Sequence, residues 1–311
     1  MANSSGLNRT GVLSRVTVAA ITAALVGTTT AAVAADAPQT AAKAIKPAVA
    51  PAASASAANA TAAAADAELR FLQGVSGSTL YYYQPNGSGG FEAREYANST
   101  WTNVKAAQQA DNDHDGVADD AWILYTNGTL GYAAGESASN EFTTIGGGWN
   151  IYNKILSPGT LGGGAAADLL ARDSSGVLYL YLGYDNGKLT TRYRVGGGWN
   201  AYSQIAGVGD LSGDGKADIV ARDASGILWL YKGTGDYKAP FTGRTKIGGG
   251  WNSYNNILGI GDLDWDGRAD LIARDSAGKL YRYSGTGNAA APFKPRAVIG
   301  TSGWNTYRIL F

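Results

Sequence analysis

Gly248-Gly249-Gly250-Trp251-Asn252 is the phrase that decides how this chain is read, because it is not unique. It stands also at Gly146-Gly147-Gly148-Trp149-Asn150 and Gly196-Gly197-Gly198-Trp199-Asn200, and returns as Ser302-Gly303-Trp304-Asn305 near the C-terminus. A weaker version surrounds Trp101. The spacing is close to fifty residues. Self-similarity at that period marks one supersecondary unit copied in series, so chemistry is to be sought in what recurs.

The copy that begins at Trp251 shows what the unit is. Ile257-Leu258-Gly259-Ile260-Gly261 is followed by the acidic stretch 262–270, by Leu271-Ile272-Ala273-Arg274-Asp275, by the turn Ser276-Ala277-Gly278, and by Lys279-Leu280-Tyr281-Arg282-Tyr283. Each apolar run is short and bounded by Gly, Asp, Asn or Ser, and none keeps a helical period, which is the pattern of strands and hairpins. A fourth strand is expected at 296–299, before the next Gly-rich phrase. Four short antiparallel strands per unit predict a β-propeller blade.

Two markers count the blades. The hairpin "Ala-Arg-Asp, turn, Leu-aromatic" occurs at 171–181, 221–231 and 273–283, with weaker forms at 121–132 and 68–83, and the Trp phrase also gives five. The chain enters mid-unit, at the hairpin 69–83, and ends on Trp304-Asn305-Thr306-Tyr307-Arg308-Ile309-Leu310-Phe311. The last segment therefore reads as the first strand of the N-terminal blade. An open solenoid would want polar caps, and Ile309-Leu310-Phe311 is apolar. The expectation is an all-β, five-bladed propeller of four-stranded antiparallel blades, closed by pairing the C-terminal strand with the N-terminal blade, which leaves no blade edge unpaired.

Not all 311 residues belong to that ring. Residues 1–35 have a polar start with Arg9 and Arg15, an Ala-rich apolar run at 16–26, and Ala32-Val33-Ala34 at cleavage spacing, which is the pattern of a secretory signal peptide. The run is too short and too rich in Ala and Thr for a convincing membrane span, so no span is expected in the mature chain, a retained anchor being the lesser alternative. Residues 36–65 are dominated by Ala, Pro, Ser and Thr with almost no large apolar residue, and read as a linker that cannot bury enough surface to order itself. The propeller occupies 66–311, and the protein is expected to be secreted. Cysteine is absent, so stability must come from packing, hydrogen bonds or metal. Lys+Arg and Asp+Glu are both 25, which gives no electrostatic reason to expect nucleic acid or an anionic membrane as partner.

Three units carry D-x-[DS]-x-D-G-x-x-D between their first two strands. The oxygen-bearing positions are Asp111, Asp113, Asp115 and Asp119; Asp210, Ser212, Asp214 and Asp218; and Asp262, Asp264, Asp266 and Asp270. Oxygen donors at alternate positions with Gly at the sixth wrap one hard cation, which suits Ca²⁺, and the backbone carbonyls of Val117, Lys216 and Arg268 complete the set. The twelfth positions are Trp122, Ala221 and Ala273 rather than Glu, so these are not EF-hands. In the third unit the loop 159–168 keeps the length and Asp168 but loses the other acids, and no metal is expected there. About three structural Ca²⁺ sites follow. The competing reading is Asp/Gly turns that only look like ligands.

An enzyme is not expected. His114, at a non-ligand position of an acidic loop, is the one histidine and Cys is absent, which nearly excludes Ser-His-Asp and Cys-His chemistry. Paired carboxylates for glycoside hydrolysis remain open on composition, but catalysis would break the repeat at one place, and the only broken loop has lost its acids.

Each Gly-Gly-Gly-Trp-Asn has two readings. Gly permits a tight turn, Trp packs between blades and Asn bonds backbone. Alternatively the aromatic and amide form a sugar platform at Trp149, Asn150, Trp199, Asn200, Trp251, Asn252, Trp304 and Asn305. The phrase "Ile-Gly-Gly-Gly-Trp-Asn-x-Tyr", its closing form at 299–311 and the opening 69–83 resemble the tachylectin family. That resemblance implies a five-bladed propeller lectin binding N-acetylated amino sugars at one site per blade. The acidic loops instead resemble integrin-type FG-GAP/VCBS repeats, so exact sugar contacts do not transfer. The expected function is a secreted, multivalent, calcium-bearing lectin-like propeller whose partners are glycans or cell-surface polysaccharide. The alternative is a protein-interaction propeller with a secreted protein partner, for example a subunit of an antibacterial toxin assembly, which such propellers also resemble.

Overall fold

The computed structural model describes residues 68–135, 142–164, 166–207 and 209–311. The expected signal peptide and linker lie outside them. Blade I holds β1 (Leu72–Ser76), β2 (Thr79–Tyr83) and β3 (Glu95–Asn98). Blade II follows with β4 (Val104–Ala110), β5 (Asp120–Tyr125), β6 (Leu130–Ala133) and β7 (Phe142–Gly146). Blade III is β8 (Tyr152–Gly159), β9 (Asp168–Asp173), β10 (Leu178–Tyr181) and β11 (Tyr193–Gly196). Blade IV is β12 (Tyr202–Ala206), β13 (Ile219–Asp223), β14 (Leu228–Tyr231) and β15 (Thr245–Gly248). Blade V is β16 (Tyr254–Gly261), β17 (Asp270–Asp275), β18 (Leu280–Tyr283) and β19 (Ala297–Gly300). The last strand, β20 (Ile309–Leu310), pairs antiparallel with β1, Val75 opposite Ile309 and Gly74 opposite Leu310.

The protein is thus a five-bladed β-propeller of four-stranded antiparallel blades, with the C-terminal strand closing blade I. Among the described residues no helix is long and apolar enough to cross a membrane. The segment before β1 is also fixed. Leu69 donates its N–H to Gly116 O of blade II, and Asp262 of blade V donates its N–H to Glu68 O, so the incoming chain bridges two loops.

The core lies between blade faces rather than inside any blade. One cluster joins Leu170, Leu178 and Leu180 of blade III to Trp199, Tyr202, Ile205 and Ile219 at and beyond the start of blade IV. Alternation along each strand makes this possible: Leu178 and Leu180 are buried while Tyr179 and Tyr181 are half-buried on the other side. Each fully buried leucine contributes about 1.5–3 kcal/mol.

Polar clamps bind the blades as well. The Arg of each "Ala-Arg-Asp" reaches into the next blade. Arg172 donates through Nη1 to Trp199 O (2.9 Å) and Tyr202 O (2.7 Å), and Arg274 donates likewise to Trp304 O (2.8 Å) and Tyr307 O (3.2 Å). Arg222 grips Trp251 O and Tyr254 O in the same way. In blade I the cation stands just before the closing strand and in blade II within the first strand: Arg308 donates to Val104 O and Trp101 O, and Lys105 to Tyr152 O. Every inter-blade seam therefore has one basic clamp, although the sequence marks only three of them with the Ala-Arg-Asp motif.

Candidate functional site

The Trp phrase forms the seam between blades. Its third glycine takes a left-handed conformation, φ 83° at Gly148, 85° at Gly198, 87° at Gly250 and 88° at Gly303, and opens a single 3-10 turn that starts with Trp. Only glycine visits that region cheaply. A side chain on Gly249 or Gly250 would meet open space, so the constraint at Gly250 is the backbone angle. This explains why the closing copy tolerates Thr301-Ser302 yet keeps Gly303.

Trp149, Trp199, Trp251 and Trp304 are 7–8% exposed, their rings tilted against Tyr181, Tyr231, Tyr283 and Tyr83 at centroid distances of 4.6–4.9 Å. Asn200, Asn252 and Asn305 donate their amides to Ser174 O, Ala224 O and Ser276 O, the hairpin turns of the preceding blades. Asn150 lies against the turn glycine Gly128. The packing role of the phrase is therefore filled at each seam, and what remains for a ligand is the rim of each indole.

At Trp199 that rim borders a cleft of about 390 Å³. It is walled by Gly196, Gly197 and Gly198 on one side and by Tyr202, Tyr231, Phe241 and the β14–β15 connection with Lys238 on the other. The volume falls in the lower range of small-molecule sites. Its framework recurs in four blades. Hydroxyl pairs join Tyr83 to Tyr307, Tyr152 to Tyr181, Tyr202 to Tyr231 and Tyr254 to Tyr283 at 2.5–2.6 Å. Burial and the partner hydroxyl push Tyr83, Tyr181, Tyr231 and Tyr283 well above the ordinary phenol range, so these pairs stay neutral.

An arginine missed in the sequence accompanies each pair. Arg192, Arg244 and Arg296 donate to the hydroxyls of Tyr152, Tyr202 and Tyr254, and Arg94 engages Tyr307. Each guanidinium lies over an aromatic ring: Arg94 on Tyr81, Arg192 on Tyr179, Arg244 on Trp229 and Arg296 on Tyr281, at 4.1–4.6 Å. The signal was readable as Arg fourteen or so residues past each Leu-aromatic pair, but only register shows that these positions meet.

The acidic loops sit where expected, between first and second strands. Asp111, Asp113 and Asp115 bring carboxylate oxygens within 4.8 Å of one another, and so do Asp262, Asp264 and Asp270. In the blade IV loop Asp210 accepts Ser212, Gly213 and Gly215 N–H groups, and Asp214 pairs with Lys232 at 3.0 Å. Asp266 pairs with Lys294 at 2.9 Å and Asp264 with Arg282 at 3.0 Å.

The ninth-position Asp proves to have a second task. Asp168 Oδ2 accepts Gly162 N–H and Oδ1 accepts Gly183 N–H; Asp218 accepts Leu211, Ser212 and Gly233 N–H; Asp270 accepts Gly285 N–H. It staples its loop to the end of the third strand, which explains why Asp168 persists where no metal was expected. In blade II that place belongs to Asp120, which accepts Asn112 and Gly135 N–H, and not to Asp119. The loop there is one residue longer: Ala110 faces Asp120, whereas Gly159 faces Asp168 and Gly261 faces Asp270. Asp119 lies beside Gly135 instead.

The donor set fits a hard cation. Buried oxygens Asp111 Oδ1, Asp264 Oδ1 and Asp270 Oδ2 accept no hydrogen bond. Burial first, then neighbouring acids, pushes Asp111 up to about 7, and burial against the Gly285 hydrogen bond leaves Asp270 at about 7. Carboxylates so placed need either protons or a metal ion, and Ca²⁺ binding would keep them ionised.

Residues 210–273 match the sequence profile of an FG-GAP-like repeat, a range holding the acidic loops of blades IV and V. No curated protein sequence matches the chain. Among solved structures it is similar to human WBSCR16, with 11% identity and TM-score 0.36 over 73% of this chain and 66% of that one, just under two thirds. It is also similar to a lectin from Burkholderia pseudomallei (11% identity, TM-score 0.45, 74% of this chain and 69% of that one). A third likeness is to a mutant of AofleA from Arthrobotrys oligospora (8% identity, TM-score 0.44, 76% and 73%). At these scores the functional reading rests on the chain's own residues.

Proposed function

We propose that this chain is a secreted, multivalent carbohydrate-binding propeller with structural calcium, recognising N-acetylated amino sugars on cell-surface glycans. The observation that carries the reading is the inter-blade cleft at Trp199, built from the repeated phrase and framed by aromatics whose counterparts recur in four blades. A sugar seated there would lay an apolar face on the Trp199 rim and Phe241. Its hydroxyls would meet the backbone of Gly196, Gly197 and Gly198 and the Tyr202 and Tyr231 hydroxyls. The preference for N-acetylated amino sugars rests on the tachylectin resemblance. Weak sites on one rigid ring multiply apparent affinity on a dense glycan surface without new contacts.

Calcium would be held by the carboxylates of Asp111, Asp113 and Asp115 and of Asp262, Asp264 and Asp270, with the Asp210 loop a third candidate. When bound it supplies charge neutralisation that ties the first two strands of a blade together. A glycan array probed with and without chelator tests the reading; absence of retention on every glycan at high density sinks the lectin. The FG-GAP-like match at 210–273 favours a second reading, a protein-interaction propeller. Stoichiometric proteins co-purifying from culture supernatant would support it, whereas sugar-elutable retention on glycan resin supports the first.

A further inference from the structure

The four stacked arginines are not explained by the fold. Blade II shows how a blade is built without one. Gly131 and Ala133 stand where Tyr179 and Tyr181 stand in blade III, Val104 replaces Tyr152, and the Phe142 ring covers Gly131 so closely that a Cβ there would lie 1.9 Å away. Trp101, at the seam before this blade, is 0% exposed and stacks on Phe311 at 5.5 Å, so its rim offers nothing to a ligand. The blade that has lost the exposed indole rim has lost the tyrosine pair and the arginine with it. The arginine therefore goes with the cleft and not with the blade.

Each of the four is exposed, and among the described residues none forms an ion pair with a carboxylate. Stacking fixes the guanidinium plane, and Arg192, Arg244 and Arg296 donate to Tyr152, Tyr202 and Tyr254 and also engage the partner hydroxyls of Tyr181, Tyr231 and Tyr283. A guanidinium carries five N–H donors, more than the two hydroxyls of a tyrosine pair take up. Asp223, whose charge Arg244 feels, accepts Ile227 N–H and Trp229 Nε1–H and forms no ion pair with the guanidinium. The Trp199 cleft is lined by Lys238, and no Asp or Glu lines it. Arg244 stands outside that lining and meets it through its hydrogen bond to the Tyr202 hydroxyl, so Lys238 in the wall and Arg244 behind it are the cations of this sugar-sized space.

We propose that Arg94, Arg192, Arg244 and Arg296 make the sites selective for glycans that carry an anionic group, a carboxylate or a phosphate, beside the sugar ring seated at Trp. The proposal rests on the carbohydrate-binding reading and narrows it. A pre-oriented planar fork suits a two-oxygen anion, and such charge-assisted contacts are the strong ones. Blade II takes no part.

The test uses the full chain on three immobilised polymers: a neutral N-acetylated glycan, a uronate-bearing glycan, and a glycan linked through phosphodiesters. The wild type is expected to be retained about tenfold or more tightly on one or both acidic polymers, a preference that weakens with added salt. The carboxylate and phosphate arms identify the source of the charge. Arg94→Gln, Arg192→Gln, Arg244→Gln and Arg296→Gln together should abolish the preference while neutral-glycan retention persists. The matching Arg→Lys set, which keeps the charge, should retain part of it and guards against a misfolded glutamine variant. Equal retention of wild type on neutral and acidic polymers, or an unchanged preference in the glutamine variant, overturns the selectivity and leaves the lectin standing. Retention on none of the three removes both.

Discussion

Replacing Arg222 by methionine should destabilise the ring by about 2–4 kcal/mol. The side chain is 8% exposed; Nη1 donates to Trp251 O at 2.9 Å and to Tyr254 O, and Nε donates to Ser203 Oγ at 3.0 Å. Two charge-assisted bonds to carbonyls of the next blade are lost, each worth about 1.5–3 kcal/mol, and a third to Ser203 Oγ within the blade. Trp251 O keeps the Tyr254 N–H as donor, whereas Tyr254 O loses Arg222. Against this, the guanidinium no longer has to be desolvated, a cost visible in the lowering of its pKa by burial, so the net falls below the sum. For a domain of this size the loss corresponds to a melting temperature lower by about 5–15 °C. Lys105→Met is the internal control, because Lys105 contributes a single bond to Tyr152 O at 2.7 Å, and it should cost about half as much. Thermal melts followed by near-UV circular dichroism, supported by urea titration, measure both. The clamp argument is refuted if Arg222→Met melts within about 1 °C of wild type, or if Lys105→Met is the more damaging of the two.

Chelation should lower the melting temperature, since a site at a hundredfold excess over its dissociation constant contributes about 2.7 kcal/mol, and calorimetry should count about three Ca²⁺ per chain. Asp113→Asn and Asp264→Asn should each remove one ion from that count. Gly183→Ala should destabilise strongly, by more than about 3 kcal/mol, because the new Cβ would sit 1.9 Å from Ala167 O in backbone that cannot give way; wild-type-like urea midpoints would contradict it. Asp168 stands at about 6, raised by burial against three N–H donors, so the folded chain holds its proton more tightly than the unfolded chain. Its contribution to stability therefore falls as pH rises from about 4 to 6 and is flat above, the reverse of a salt-bridged aspartate. Asp168→Asn should flatten the pH slope of the urea midpoint in that window, and an unchanged slope would show that Asp168 does not titrate there.

The chain alone settled what repeats and how the ends meet. The fifty-residue period, the Gly-bounded apolar runs and the apolar Ile309-Leu310-Phe311 led to five four-stranded blades closed by the C-terminal strand, because hydrophobic period is a local signal and the phase of the repeat at the two ends leaves one strand missing from the first blade and one spare at the last. The acidic loops were legible for the same reason. What the Trp-Asn phrase does was not, since its meaning depends on the neighbouring blade: the indole is stacked on a tyrosine from thirty or so residues away, and the Asn amide closes the previous hairpin. Only tertiary register could move the stapling role from Asp119 to Asp120, because a single inserted residue leaves the motif spacing intact while shifting the strand. The same holds for Arg192, Arg244 and Arg296, which look like ordinary surface charges until pairing of the third and fourth strands lays each one over an aromatic ring beside a tyrosine pair.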